Sequence, residues 1–265
     1  MPVIDKICYV SRLRYMNTGE KFAFSFLTLI ACLISRSVVM ALFVLAVMSA
    51  INVGKSGIAP GRYMKLMLIP FGFLLAGTAA VMVNVSGEPL DAFALPVGGL
   101  YLTGSKEGIF RGVQMVSTAL AGVSCLYFLS FSTPMTDMLT LFESWRLPSV
   151  LTELMLLTYR FLFILLETAA WMTVSQRSRL GDRDKKTWLR CRGMLASSLF
   201  LLAIRRAGAI YDAMESRCYD GMIHMLRENR PPKAGEILKI AGFEALLIGM
   251  ILADVTKWEW MLWMR

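Results

Sequence analysis

Histidine is almost absent: His224 is the only one in 265 residues. An imidazole relay or a histidine-built metal centre needs more, so no metal site of that kind is expected, and no cofactor either. The five cysteines, Cys8, Cys32, Cys125, Cys191 and Cys218, form no Cys-x-x-Cys pair. They therefore indicate neither a zinc site nor a disulfide framework and read as small buried residues or free thiols. Charge is scarce as well, at 18% of residues, against roughly 25% in a soluble domain. Between Phe22 and Asn84 there is no Asp, Glu or His at all. Within the first twenty residues Asp5, Lys6, Arg12 and Arg14 interrupt any apolar core, so no cleaved signal peptide is expected.

What is abundant is apolar surface. Hydrophobic residues make up 56% of the chain and the mean hydropathy is +0.57, which places it among integral membrane proteins. The net charge of +9 is gathered chiefly between Arg177 and Arg192, where seven cations face two aspartates in sixteen residues. Only Trp188 interleaves that run, and it lies between long apolar stretches, so membrane topology explains it better than nucleic-acid binding.

The apolar runs predict the spans. Residues 22–53 are uncharged apart from Arg36, and as one helix would reach roughly 48 Å, too long for a bilayer core of about 30 Å. A break at Ser35-Arg36-Ser37 gives two short spans, 21–34 and 38–53. Loop 54–65 follows with Lys55, Arg62 and Lys65 and no acid, which assigns it to the cytoplasm. Its Gly54-Lys55-Ser56 resembles the end of a phosphate-binding loop, but Ser49 stands where the leading glycine is required, so ATP binding by a P-loop is not expected. A third span is predicted over 66–85. The glycine- and proline-rich connector after it carries Glu88 and Asp91 with no cation before Lys106, and is placed outside. A fourth span covers 109–131.

Beyond Pro134 the pattern changes to helices that are apolar yet punctuated by charge: a short amphipathic piece over 136–146, then long ones over 150–179 and 187–218. On the first long helix Glu153, Arg160 and Glu167 recur every seven residues and share one stripe, expected to pair internally in a nearly apolar setting. On the second, Ala203, Ala207, Ile210 and Met214 share a face suited to close packing. A last span covers 236–256, followed by Trp258, Trp260 and Trp263 with Lys257 and Arg265 as interfacial anchors. The expected fold is an all-α integral membrane protein with about five transmembrane helices and a cytoplasmic or interfacial region of long crossing helices. Its expected parts are 1–133 with spans one to four, 134–232 with the long helices, and 233–265 with the last span.

Two stretches organise this arrangement. Ser175-Gln176-Arg177-Ser178-Arg179-Leu180-Gly181 and Ala213-Met214-Glu215-Ser216-Arg217-Cys218-Tyr219 each set an arginine at the end of a long helix, with Gly181 and Gly221 as breakers behind them. A cation there suits the helix dipole. One such arginine is an ordinary helix cap; the same device repeated about 38 residues apart points to a partner.

At Leu157-Thr158-Tyr159-Arg160-Phe161-Leu162-Phe163-Ile164-Leu165-Leu166-Glu167, and at the two arginine stretches, the sequence resembles the transmembrane T component of energy-coupling factor transporters, the CbiQ type serving cobalt or nickel uptake. The likeness extends over nearly the whole chain in the order of its elements. In that family the helix-terminal motifs, usually Ala-Arg-Gly, dock into grooves of two ABC ATPase subunits. The matching positions here are Ser178, Arg179, Leu180 and Ser216, Arg217, Cys218. Both arginines are kept and both glycines are replaced. The resemblance implies a non-enzymatic coupling subunit in membrane lipid that passes the ATPases' motion to a separate substrate-binding membrane subunit.

Two other classes remain as alternatives. A membrane-embedded enzyme would need clustered carboxylates or histidines at bilayer depth, and the first four spans offer none. A stand-alone carrier would be expected to show an internal repeat or broken helices with polar residues at the midplane.

Overall fold

The computed structural model of the chain describes every residue except 1–7, 10, 36, 83, 87–92, 98–99, 105, 146, 222–230 and 264–265; at 12, 80–82, 84–86, 93–97, 100–104, 106–107 and 254–263 it describes the backbone alone. The expected turn at Arg36, the acids Glu88 and Asp91, His224, and the side chains of the tryptophan cluster with Lys257 and Arg265 lie outside what is described.

The apolar runs become helices: α1 (Thr18–Ser35), α2 (Val38–Gly54), α3 (Pro60–Met82), α4 (Lys106–Ser132), α5 (Met135–Ser144), α6 (Ser149–Ser178), α7 (Lys185–Glu215) and α8 (Ala234–Trp263). A 3-10 turn, Arg12–Tyr15, precedes them, with the Ser11 side chain accepting from the Leu13 amide. The first span starts earlier than the hydropathy run suggested, because Thr18, Gly19, Glu20 and Lys21 extend α1 to 18 residues; at 1.5 Å per residue that is about 27 Å, close to the bilayer core.

The chain divides into two compact units, one of residues 2–134 with 229–265 and one of residues 135–228. In the first, α4 is the hub against which α1, α2 and α3 pack, and α8 lies along α1. The buried face of α4 carries Ala121, Cys125 and Phe128, which meet Met40, Ala41, Val44 and Met48 of α2 and Phe24 of α1, and Phe131, which packs with Ile58 and with Tyr63 and Met67 of α3. Small residues let these backbones approach. The Asn52 amide donates to the Ser124 carbonyl and the Ser25 hydroxyl to that of Cys125. The Thr28 hydroxyl, 2.7 Å from the Phe24 carbonyl, also meets the buried Glu244 carboxyl of α8 at 2.7 Å. Lys21 is wholly buried, and its ammonium donates to the carbonyls of Leu13 and Ser132.

The connector between α3 and α4 is not a plain loop. It forms three short antiparallel strands, β1 (Asn84–Ser86), β2 (Phe93–Val97) and β3 (Leu100–Gly104), in the order β1-β3-β2. Pro96 falls on an edge strand, where a missing amide proton is tolerated. The sheet leaves the molecule an all-α membrane protein in its spans.

In the second unit α6 and α7 run as an antiparallel pair. Each is long and apolar enough to cross a membrane, as are α1 and residues 108–132 of α4, so length and composition do not set this pair apart from the spans as the cytoplasmic or interfacial placement expected. Only Thr152 of α6 is buried and nothing of α7 is, so Leu162, Leu166 and Trp171 of α6 and Phe200, Leu201 and Ile204 of α7 stand open.

Candidate functional site: two matching helix ends

The two arginine stretches end their helices in the same way. At the end of α6 the Leu180 amide donates to the Arg177 carbonyl at 3.0 Å and the Gly181 amide to the Gln176 carbonyl at 2.8 Å. At the end of α7 the Cys218 amide donates to the Glu215 carbonyl at 3.0 Å and the Tyr219 amide to the Met214 carbonyl at 3.1 Å. Every partner in the second pair is 38 residues beyond its counterpart in the first. This is the Schellman arrangement, a short bond nested inside a longer one, which consumes carbonyls that the helix leaves open. It requires one residue in the left-handed region, and here that residue is Leu180 at φ 60° and Cys218 at φ 58°.

This corrects the sequence reading of the breakers. Neither Gly181 nor Gly221 supplies the turn; the residue directly after each arginine does, at the position where the resembled motif has glycine. A side chain with a Cβ costs about 1–2 kcal/mol in that conformation, so the geometry is kept without the residue that would make it easy. Gly181 has another job. It is buried, and a Cβ there would come 2.7 Å from the Gln176 carbonyl oxygen and 3.1 Å from the Cys191 sulfur. Only hydrogen fits.

Arg179 and Arg217 are exposed and, among the described residues, make no ion pair or side-chain hydrogen bond. Their neighbours are committed: Arg177 pairs with Asp182 at 2.9 Å, the Ser178 hydroxyl donates to the Val174 carbonyl and that of Ser216 to Ala213. The serines thus fold back onto the last turn, and Ser178, Leu180, Ser216 and Cys218 form the exposed collar around the two cations.

Two contacts hold the helix pair at its ends. The Gln176 amide donates to the Cys191 carbonyl at 3.0 Å, joining the end of α6 to the start of α7. The Tyr219 hydroxyl donates to a Glu153 carboxylate oxygen at 2.6 Å, joining the segment after α7 to the start of α6. Donating that proton keeps the Tyr219 phenol above its ordinary value, since ionisation would break the bond to Glu153 and set two negative charges together. Between the two ties lies an apolar groove of about 830 Å³, lined by Leu157, Phe161 and Leu165 of α6 and by Ala203, Ala207 and Ile210 of α7.

The stripe of Glu153, Arg160 and Glu167 does not pair internally as expected. Arg160 and Glu167 are exposed, no ion pair joins Arg160 to either acid among the described residues, and Glu153 accepts from Tyr219 instead. Seven-residue spacing puts the three on one face, but successive members are two turns, about 10 Å, apart, beyond the reach of a short ion pair. Tyr219 and Gln176 were missed as supports. Both lie inside the two arginine stretches, and only their long-range partners, 66 and 15 residues away, reveal their role.

Residues 10–227 match the family described as cobalt transport protein, CbiQ. Among known proteins, the chain is 32% identical over 255 residues to an uncharacterised protein of Methanocaldococcus jannaschii, covering 96% of this chain and 94% of that one. It is 28% identical over 256 residues to a protein of Methanocorpusculum labreanum named as a fused cobalt transport protein CbiMQ, covering 96% of this chain and 42% of that one. To the cobalt transport protein CbiQ of Rhodobacter capsulatus it is 32% identical over 171 residues, 64% of this chain and 65% of that one. With several helices able to cross a bilayer and a family match over most of its length, this multi-pass protein of the plasma membrane belongs to the CbiQ family of cobalt transport proteins.

Proposed function

We propose that the chain is the transmembrane coupling subunit of an energy-coupling factor importer for cobalt or nickel, in which Arg179 and Arg217 each enter a groove of a separate ABC ATPase subunit while the open apolar faces of α6 and α7 hold a substrate-binding membrane subunit. The observation that carries this reading is the pair of matching helix ends: two exposed arginines with no partner among the described residues, presented by the same turn at opposite ends of one helix pair. A guanidinium fork matches a carboxylate in two hydrogen bonds, so each end is suited to a carboxylate-bearing groove in a partner. The apolar groove and the bare faces of α6 and α7 favour a second, membrane-embedded partner. The relative from Methanocorpusculum labreanum supports this: its name describes a fusion, and the region like this chain makes up 42% of it. On this reading the chain carries no catalytic group of its own, and residues 134–232 form a cytoplasmic coupling part between membrane parts 1–133 and 233–265, its helix pair lying along the membrane interface rather than across the bilayer so that both arginines face the ATPases.

The test is co-purification and uptake with the ATPase subunits present. Truncating one member of a desolvated charge contact costs about 2–5 kcal/mol, so Arg179→Ala or Arg217→Ala should weaken assembly or uncouple ATP hydrolysis from uptake. The double variant should release the ATPases, because two linked contacts reinforce one another. Lysine at either place should rescue poorly. Normal co-purification and uptake by the double alanine variant would reduce both arginines to helix caps and sink the proposal.

A further inference from the structure

One cavity lies apart from the arginine ends, inside the membrane unit. It encloses about 440 Å³ where α1 and α8 begin and α2 ends, and its lining combines Lys21, Lys55 and Lys239 with Phe24, Phe128 and Phe243. Lys55 and Lys239 are exposed, whereas Phe24 and Phe128 are buried. Lys55 and Lys239 therefore stand at the mouth with the apolar surface behind them, and Lys21 is buried with its ammonium on the Leu13 and Ser132 carbonyls. Glu236 is the single acid in the lining, and it stands beside Glu20. Lys55 follows α2, and Arg62 and Lys65 lie in the first turns of α3 with no acid among them, so this end of the unit faces the cytoplasmic leaflet, whose surface is anionic.

We propose that the cavity is a binding site for an anionic phospholipid, with the phosphate between Lys55 and Lys239 and the glycerol and first acyl carbons against Phe24, Phe128 and Phe243. Two features favour this occupant. An ammonium is a compact point charge that suits a phosphate, and the two exposed lysines of the lining, Lys55 and Lys239, outnumber its one glutamate. A free phosphate would leave the aromatic wall wet, and a neutral lipid would leave the lysines without a counter-charge; an anionic lipid answers both. The volume falls within the range of about 300–1,000 Å³ in which ligand sites are built.

The experiment uses the full chain purified in a neutral detergent, with phosphatidylglycerol, phosphatidylcholine or inorganic phosphate added, read by native mass spectrometry and by the melting temperature. Phosphatidylglycerol should give a one-lipid adduct and raise the melting temperature, and the other two should do neither at the same concentration. Lys55→Glu with Lys239→Glu should weaken phosphatidylglycerol binding at least tenfold, while Lys55→Arg with Lys239→Arg should keep it. Lys239→Gln alone changes an exposed side chain and spares the core, so it serves if the double reversal does not fold; it should weaken the adduct several-fold. Equal adducts with the two lipids, or full retention in Lys239→Gln, would mean that the lysines merely extend toward water along an apolar wall, and would overturn the proposal. Stabilisation by inorganic phosphate alone, or capture of a second copy in place of lipid, would overturn it as well. None of these readings involves the ATPases, so failure here leaves the coupling proposal untouched.

Discussion

Replacing Gly181 by alanine is the sharpest probe of the first helix end. The new Cβ would lie 2.7 Å from the Gln176 carbonyl oxygen, about 0.7 Å inside ordinary contact. That oxygen accepts from the Gly181 amide at 2.8 Å and from the Arg179 amide at 3.2 Å, so moving it away stretches both bonds past useful length. Two hydrogen bonds at about 1 kcal/mol each give a loss of roughly 2 kcal/mol. Displacing the Cys191 sulfur, 3.1 Å from the same Cβ, adds to this. Restricting the unfolded chain offsets about 0.4–1 kcal/mol. The net should be a destabilisation of about 1–2 kcal/mol, or roughly 2–8 °C in the melting temperature of the purified chain. Gly193→Ala is the control: it sits within α7 with nothing within 4 Å of its new Cβ, and should gain up to about 1 kcal/mol from helix propensity. If Gly181→Ala melts at or above the wild-type temperature while Gly193→Ala behaves as stated, the close approach of Gln176 and Cys191 to residue 181 is wrong.

Other outcomes follow from the same geometry. Leu180→Gly and Cys218→Gly remove a left-handed strain of about 1–2 kcal/mol against a loss of chain stiffness of about 0.5–1 kcal/mol; each should leave the melting temperature unchanged or slightly raised, where a marked drop would contradict the φ values. Tyr219→Phe deletes the tie to Glu153. Because the folded state holds the Tyr219 proton, the tie contributes below the free phenol's range near pH 10 and is lost as the pH rises through the higher folded value, so wild type should show an alkaline loosening of α6 against α7, followed by hydrogen exchange, that Tyr219→Phe lacks. Arg160→Ala should stay within about 0.5 kcal/mol of wild type when the chain is alone, as exposed sites do; a large loss of folded protein would mean that Arg160 has a partner after all.

The helices were legible because they rest on long apolar periodicity, and the ends of α2 and α6 fall within a residue of the runs. The small sheet was not. Proline and glycine in the connector read as loop, and strands of three to five residues are too short to set up an alternation. The arginine ends were found from their repetition, but the residue making each turn was not, because the rule that assigns a left-handed turn to the nearest glycine looks past Leu180 and Cys218. The tie from Tyr219 to Glu153 spans 66 residues, and nothing local to either residue signals it. Lys21 shows the same limit from the other side. A lysine at the start of a span reads as an anchor reaching for water, and burial with carbonyls of Leu13 and Ser132 as acceptors becomes visible only once α1 and α4 are brought together.

The helix pair also fixes a length. α6 has thirty residues, about 45 Å at 1.5 Å per residue, and its partner runs the opposite way, so the two arginine turns sit at opposite ends of one rod. Tied near both ends by Gln176 to Cys191 and by Tyr219 to Glu153, the pair resists shortening and sliding, and what remains to it is a change of angle. Bodies gripping its ends cannot draw together along it; they can only tilt it, and whatever rests against its middle is swung by that tilt.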